Sequence, residues 1–419
     1  MINQVNVHSE IAPLRRVVVH RPDAGTSRIS PKRAEELLFD DIVYLPKLQE
    51  EHDVFTNLLT HFVGEENVLE MADLFREALD HDAEAKLEML TMILDFEEQP
   101  STLLERLLTL DHAELTDILI TGYWEKEDHV LFDTIPNFIF TRDVAVTVND
   151  HIIITKAAKQ ARFRENFLTR FIMWAHPLFV EMRKAGKIIN LNDIEEFPPS
   201  KRGEKISIEG GDMMILNKDF LVIGSSERST DYGLKSLADK LFAKGVIKNV
   251  ANVSVPAERS FMHLDTIFTQ ISENDFVCFK PIIIDGLNAS VEVYRADGTT
   301  ASYVNVKEFI LKEINKKARF IYSGEGQSPF QEREQWTDAC NLVALSNGVA
   351  VTYDRNPRTE IAFEKAGYRV MHATDLVKAF EDGIIRPSEI QKTIITLPSS
   401  ELSRGRGGSH CMTCPILRG

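Results

Sequence analysis

One pattern recurs along the chain and limits what it can become: a short Val/Ile-rich strand, a polar turn carrying arginine, then a stretch with helical spacing. Clear copies are HIIITKAAKQARFRENFLTRF, FLVIGSSERSTDYGLKSLADKLFAKG and VAVTYDRNPRTEIAFEKAG, with RRVVVHRPDAGTSRISPKRAEELL as a weaker one. Leu234, Leu237 and Leu241 recur as one face of a helix. Upstream, NFIFTRDVAVTVNDHIII, EGGDMMILNKDFLVIG and HLDTIFTQISENDFVCF each place an aspartate (Asp143, Asp212, Asp265) before an alternating strand, a polar turn and a second strand. Each of these reads as a hairpin. A repeated unit of two strands and a helix predicts modules that bury one face on their neighbours, in radial or solenoid-like order. Independent α/β patterning without true repetition fits the same segments.

Residues 67–126 break the pattern. They lack a strand signal but contain the helical runs VLEMADLFREAL, EAKLEMLTMILDF, STLLERLLTL and AELTDILITGYW. Capping-box spacing pairs Thr102 with Glu105 and Asp111 with Glu114. An inserted helical subdomain is expected here, flanked by catalytic segments 1–66 and 127–419. At 419 residues the chain suits two or three average domains, or one large domain with an insertion.

A formal net charge of -16 disfavours nucleic acid and anionic membrane as main partners and favours a small cationic one. The N-terminus shows no signal-peptide pattern and no apolar run is long enough to span a bilayer, so a cytoplasmic protein is expected. Four cysteines in such a chain do not make a disulfide framework.

Two of those cysteines stand in the terminal stretch SRGRGGSHCMTCPILRG. A structural zinc site would need ligands beyond Cys411 and Cys414, and a redox pair would be expected to open a helix, whereas Pro415 follows here. A third reading makes Cys411 a nucleophile, with Arg404 and Arg406 favouring thiolate and Gly405, Gly407 and Gly408 letting backbone approach a ligand. A nucleophilic thiol needs a proton carrier, and FMHLDTIF supplies His263. If that run is extended, His263 and Asp265 share a face. EGGD adds Glu209 and Asp212, the latter equally well explained by turn chemistry, and IPNFIFTRD adds Asn137, Arg142 and Asp143. A thiolate, an imidazole and several carboxylates suit a planar cation such as a guanidinium. Its carbon is a poor electrophile, so carboxylates that grip the nitrogens would position it for attack.

Taken together, IPNFIFTRD, EGGD, FMHLDTIF and SRGRGGSHCMTCP resemble the arginine deiminases of the guanidine-modifying (pentein) superfamily, and SEIAPLRRVVVHRP and GVAVTYDRN extend the likeness over nearly the whole chain. The resemblance implies an α/β fold: a five-bladed, pseudo-symmetric propeller of ββαβ units with an inserted α-helical subdomain. It implies Cys411 as nucleophile and His263 as general acid and base. Asp143 and Asp265 would hold the guanidinium, and Glu209 would bond substrate and orient His263. Asn137, Arg162, Arg228 and Arg406 would grip the amino-acid end. The implied reaction is hydrolysis of L-arginine to L-citrulline and ammonia through a thiouronium, without metal or organic cofactor. A homo-oligomer is expected, because members of the family often assemble. Amidino transfer, hydrolysis of methylated arginine or citrulline, and non-catalytic sensing are the alternatives. QWTDACNLVALSNG departs from the family pattern at Cys340.

Overall fold

The computed structural model describes residues 5–39 and 41–419, so positions 1–4 and 40 of the expected 1–66 segment lie outside the described residues. Short runs rich in Ile and Val form strands because branched side chains pack well on a pleated surface. Five sheets share one plan, a central strand with an antiparallel neighbour on one side and a parallel neighbour on the other. In chain order the central strands are Leu14–Val19, His151–Ile154, Phe220–Ser225, Asp275–Cys278 and Val349–Tyr353.

Four of the antiparallel neighbours precede their central strand through a tight turn: Ala145–Val148, Met213–Asn217, Phe268–Gln270 and Val343–Ser346. The fifth, Cys414–Arg418, comes from the other end of the chain to pair with Leu14–Val19. The parallel neighbours are Val68–Glu70, Ile188–Asn190, Asn249–Ser254, Arg319–Tyr322 and Thr393–Leu397. A parallel neighbour requires a crossover, and helices supply it in every unit. Leu45–Val63, Phe163–Ala175, Asp231–Ala243, Val306–Phe309 and Pro357–Lys365 each lie between the central strand and its parallel partner. The third sheet is extended by Val291–Arg295 and Thr300–Tyr303, and the fifth by Arg369–His372.

The predicted helix face is buried as expected. Leu234, Leu237 and Leu241 are fully covered and pack with Val146, Ile153, Met213 and Ile223, which joins the second unit to the third. A second cluster links Phe220, Phe268, Phe276, Ala344 and Ile394, so adjacent units share their cores. The expected hairpins after Asp143, Asp212 and Asp265 are all present, and each aspartate sits in a short 3-10 turn just before its first strand.

Helices Met71–Ala78, Ala83–Phe96, Thr102–Leu108 and His112–Thr121 occupy the segment expected to be helical. Their Leu74, Phe75, Leu90 and Ile93 pack on Phe171 and Ile172 of the Phe163–Ala175 helix. Two local expectations need correction. Val68–Glu70 is a strand paired with Leu14–Val19 and Tyr123–Trp124 is one paired with His129–Val130, and two or three residues are too few to show periodicity. Thr102 is the first helical residue rather than the cap, and Ser101 before it makes no side-chain capping bond. Asp111 does cap, accepting the Glu114 N–H at 2.9 Å, but the Glu114 carboxylate turns to Trp124 and Lys126. Among the described residues no helix is long and apolar enough to cross a membrane.

The chain that carries the terminal cysteines is anchored before it reaches the centre. Glu51, buried on the Leu45–Val63 helix, accepts the N–H groups of Ser400, Glu401 and Leu402 at 3.0, 2.9 and 3.0 Å, and the Ser400 hydroxyl as well. Glu51→Ala should lower unfolding free energy by about 1–3 kcal/mol, since it strands the buried Leu402 N–H and the half-buried Glu401 N–H. Urea denaturation would measure this, and an unchanged midpoint would show that the anchor is dispensable.

Candidate active site

The sequence-predicted residues converge on one place. Asn137, Asp143, Arg162, Arg228, His263, Arg406 and Cys411 line a common small cavity, while Glu209 and Asp265 bond to its walls. All nine are buried. Turns ahead of the hairpins supply the carboxylates and the histidine, the first turns after strands supply Arg162 and Arg228, and the terminal loop supplies Arg406 and Cys411.

His263 has extended backbone, but Leu264–Thr266 that follows is a 3-10 turn and not a strand. The expected shared face of an H-x-D strand is therefore wrong in its geometry. The turn forms because Asp212 Oδ1 accepts the Leu264 N–H at 2.8 Å, while its other oxygen accepts the Ser226 and Ser229 hydroxyls at 2.6 Å each. Asp212 acts as turn chemistry, and burial raises its carboxyl to about 6. The imidazole meets Glu209 and the Asp265 carboxylate meets the cysteine. His263 Nε2 lies 2.9 Å from Glu209 Oε2, and Nδ1 lies 3.8 Å from Asp143 Oδ1. Cys411 Sγ lies 3.5 Å from Asp265 Oδ2.

Burial alone would lower the His263 pKa, but Asp143, Glu209 and Asp212 outweigh it and raise it to about 10. His263 is thus an imidazolium at neutral pH. Burial would raise Glu209, yet the His263 hydrogen bond and the cations of Arg228 and Arg162 hold it below the usual carboxylate range. Because the folded pKa of His263 exceeds its unfolded value near 6.5, its contribution to stability is complete below that value and is lost as pH rises toward about 10. Across that window stability should fall steadily as pH rises. Denaturant midpoints at pH 6.5, 8 and 9.5 would test this, with His263→Gln as the comparison. Equal pH slopes in the two proteins would refute the assignment.

Burial pushes the Cys411 thiol well above its ordinary value, and the Asp265 and Asp143 carboxylates push it the same way. The expectation that Arg404 and Arg406 favour thiolate is therefore corrected. Arg404 pairs with Asp41 at 3.0 Å, and the Arg406 guanidinium lies 3.3 Å over the Trp336 ring. Of the three glycines, Gly405 lines the cavity, while Gly407 and Gly408 admit the protein's own groups. A Cβ at Gly407 would fall 2.4 Å from the Phe140 ring, and one at Gly408 2.6 Å from Asn341 Oδ1.

The cationic groups divide between two tasks. Arg162 Nη1 lies 2.6 Å from Asp143 Oδ2, its Nε donates to Glu165 at 2.9 Å, and its Nη2 donates to the Asn137 carbonyl at 3.2 Å. Arg228 Nη1 is 3.5 Å from Glu209, and its buried Nε has no hydrogen-bond partner. Asn137 Nδ2 donates to the Leu37 carbonyl at 2.7 Å. Asp265 Oδ1 is a buried carboxylate oxygen without a partner. Asp143, Glu209 and His263 place donor atoms within 4.8 Å of one another, close enough for a cation. Arg162 and Arg228 already answer these carboxylates, at 2.6 Å from Asp143 and at 3.6 and 3.5 Å from Glu209.

Several neighbours escaped sequence reading. His410 Nδ1 bonds Asp265 Oδ2 at 2.8 Å, and its Nε2 lies 3.3 Å from Glu10, which sits 3.6 Å from Arg142. His410 and Glu10 both lie in quoted motifs, but their partnership spans the whole chain. Asn341 Nδ2 reaches Cys411 Sγ at 3.1 Å. Its only sequence signal is its place in QWTDACN, the stretch that departs from the family pattern.

Comparison with known proteins bears on the chain as a whole. A family model described as arginine deiminase matches residues 35–418. The chain is 33% identical over 443 residues to an arginine deiminase of Pediococcus pentosaceus, covering 100% of this chain and 99% of that protein. It is 30% identical over 439 residues to one from Mycobacterium avium, covering 99% and 98%. Among solved structures it resembles SxtG, an amidinotransferase from Microseira wollei, with a TM-score of 0.53 at 13% identity over 99% of this chain and 97% of that one. The N-terminal domain of ArgZ, an arginine dihydrolase of cyanobacteria, gives 0.50 at 13% identity over 96% and 97%. The two structural likenesses speak to the α/β pentein fold alone. The match to the family model over most of the chain, and to the curated relatives over their full length, places this chain in the arginine deiminase family.

Proposed function

We propose that the chain hydrolyses L-arginine to L-citrulline and ammonia. The observation that carries the reading is the meeting, in one buried cavity, of a cysteine beside one carboxylate with an imidazolium held between two others. The substrate guanidinium lies between Asp143 and Asp265, the latter offering its unpartnered Oδ1. For this, Arg162 must yield Asp143 Oδ2, since one guanidinium now occupies the oxygen another would need. Arg162, Arg228, Arg406 and Asn137 then take the α-carboxylate and α-amino end.

With the substrate guanidinium answering Asp143 and Asp265, the Cys411 thiol gives its proton to solvent, and the thiolate attacks the guanidinium carbon. The C–N bond breaks, and ammonia leaves with a proton from His263. The neutral imidazole next accepts a proton from water, whose oxygen adds to the thiouronium carbon. Collapse breaks the C–S bond, the hydroxyl proton passes to the departing sulfur, and citrulline is released with the thiol restored. Glu209 keeps the ring oriented through both steps.

The five sheets, with cores shared between neighbours, support a five-bladed propeller formed by the expected segments 1–66 and 127–419 together with the strand Val68–Glu70, and the helices from Met71 to Thr121 support an inserted helical subdomain. All four cysteines are free and buried, which suits a reducing cytoplasm. A homo-oligomer belongs to the same reading, and light scattering would test it.

The direct test is a colorimetric ureido assay with L-arginine, run with ammonia detection. Citrulline and ammonia should appear in equal amounts, and Arg228→Ala should raise KM at least about tenfold by removing a charge-assisted bond to the substrate carboxylate. A new guanidino product from added glycine or ornithine, in place of citrulline, would make the chain an amidinotransferase.

A further inference from the structure

Asn341 lies in the turn between the helix Phe330–Trp336 and the strand Val343–Ser346, with no exposed surface. Its Oδ1 accepts two backbone N–H groups, His410 at 3.0 Å and Cys411 at 3.2 Å. Those two donors fix the amide's orientation, because a flipped amide would set N–H against N–H. Nδ2 is thereby directed to Cys411 Sγ at 3.1 Å and to the Asp265 carbonyl at 3.3 Å. The main chain joins in, as the Asn341 carbonyl faces Ser409 Oγ at 3.4 Å. Gly408 permits this approach, since a Cβ there would lie 2.6 Å from Asn341 Oδ1 and 2.7 Å from its carbonyl oxygen.

One side chain therefore grips both the backbone that carries the cysteine and the sulfur itself. The sulfur needs such a donor. Burial and the carboxylates of Asp265 and Asp143 all oppose its ionisation, and the Asn341 hydrogen bond acts the other way. We propose that Asn341 is a catalytic residue: its amide N–H stabilises the Cys411 thiolate, both as it attacks and as it departs from the thiouronium, while its oxygen aims the sulfur. This rests on the reading of Cys411 as the nucleophile.

The test compares Asn341→Asp and Asn341→Ala with the unaltered protein, each checked for folding by circular dichroism and thermal melting. Asp keeps an acceptor for the two backbone N–H groups but removes the N–H on sulfur and sets a second acid beside it. Two readouts are needed: citrulline kinetics, and the pH dependence of Cys411 alkylation by iodoacetamide, with the labelled peptide identified by mass spectrometry. In both variants kcat should fall about 10- to 100-fold, the range of a hydrogen bond to a charged group, with KM changed less than about threefold. The alkylation profile should move to higher pH, further in Asn341→Asp than in Asn341→Ala. If Asn341→Ala does not fold, Asn341→Asp alone decides. An unchanged alkylation profile in a folded variant overturns the proposal, whatever happens to kcat. Citrulline formation by Cys411→Ala at the rate of the unaltered protein would instead remove the parent reading.

Discussion

Replacing Cys411 with serine should reduce citrulline formation by about 10⁴-fold or more, because the step that makes the covalent intermediate depends on a thiolate that a hydroxyl cannot mimic near neutral pH. The substitution is otherwise mild. The side chain is buried beside Asp265 and Asn341, and a serine hydroxyl can bond to both without opening a large void. The folded state should therefore survive, and a melting temperature close to that of the unaltered protein would assign the loss to chemistry. The thiol is already difficult to ionise here, since burial and two carboxylates disfavour the anion. Approach of a cationic guanidinium would relieve that opposition by answering Asp143 and Asp265, whereas the serine pKa lies too far away for the same help to matter. Initial rates within tenfold of the unaltered protein would sink the cysteine mechanism.

Replacing His263 with glutamine should lower kcat by about 10³- to 10⁴-fold, at the upper part of the range for a single acid–base group, because the ring serves both half-reactions. Glutamine can keep a hydrogen bond to Glu209 but cannot carry a proton. Ammonia would then leave without an acid, and water would attack without a base. A structural cost accompanies the kinetic one. The imidazolium sits 2.9 Å from Glu209 and 3.8 Å from Asp143, and its loss leaves those buried carboxylates with Arg162 and Arg228 as the cations paired with them among the described residues. The variant should be less stable at pH 6.5, and this deficit should shrink toward pH 9.5, where the unaltered protein begins to lose its own proton. Single-turnover kinetics on the folded fraction would separate the two effects. A kcat near the original value would reassign the proton carrier.

Much of the architecture could be read from local patterns. Alternation of apolar and polar residues after Asp143, Asp212 and Asp265 marked three hairpins, and the Leu234, Leu237, Leu241 spacing marked a buried helix face. These features are legible because period and turn chemistry are properties of neighbouring residues. The strand Val68–Glu70 was not, since three residues leave no period and only the facing Leu14–Val19 strand makes it one. The turn at Leu264–Thr266 was misread for a related reason. Its backbone is set by a bond from Leu264 to Asp212, more than fifty residues earlier.

The site divides along the same line. Residue types and motif order pointed to Cys411, His263, Asp143, Asp265 and Glu209 before any coordinates, because thiols, imidazoles and carboxylates clustered in apolar surroundings are costly without a purpose. Which of these groups face one another could not be read in this way. Sequence neighbours suggested that Arg404 and Arg406 activate the thiol, but the fold turns them to Asp41 and Trp336. The groups that act on the sulfur are Asp265, 146 positions away, and Asn341, 70 positions away. The sequence alone determined the chemistry available to this chain and the modules that carry it, since both are written in residue type and local period. Only the tertiary structure decided the pairings, because burial removes water as the common partner of every charge, and each group then takes its pKa from whatever the fold has placed beside it.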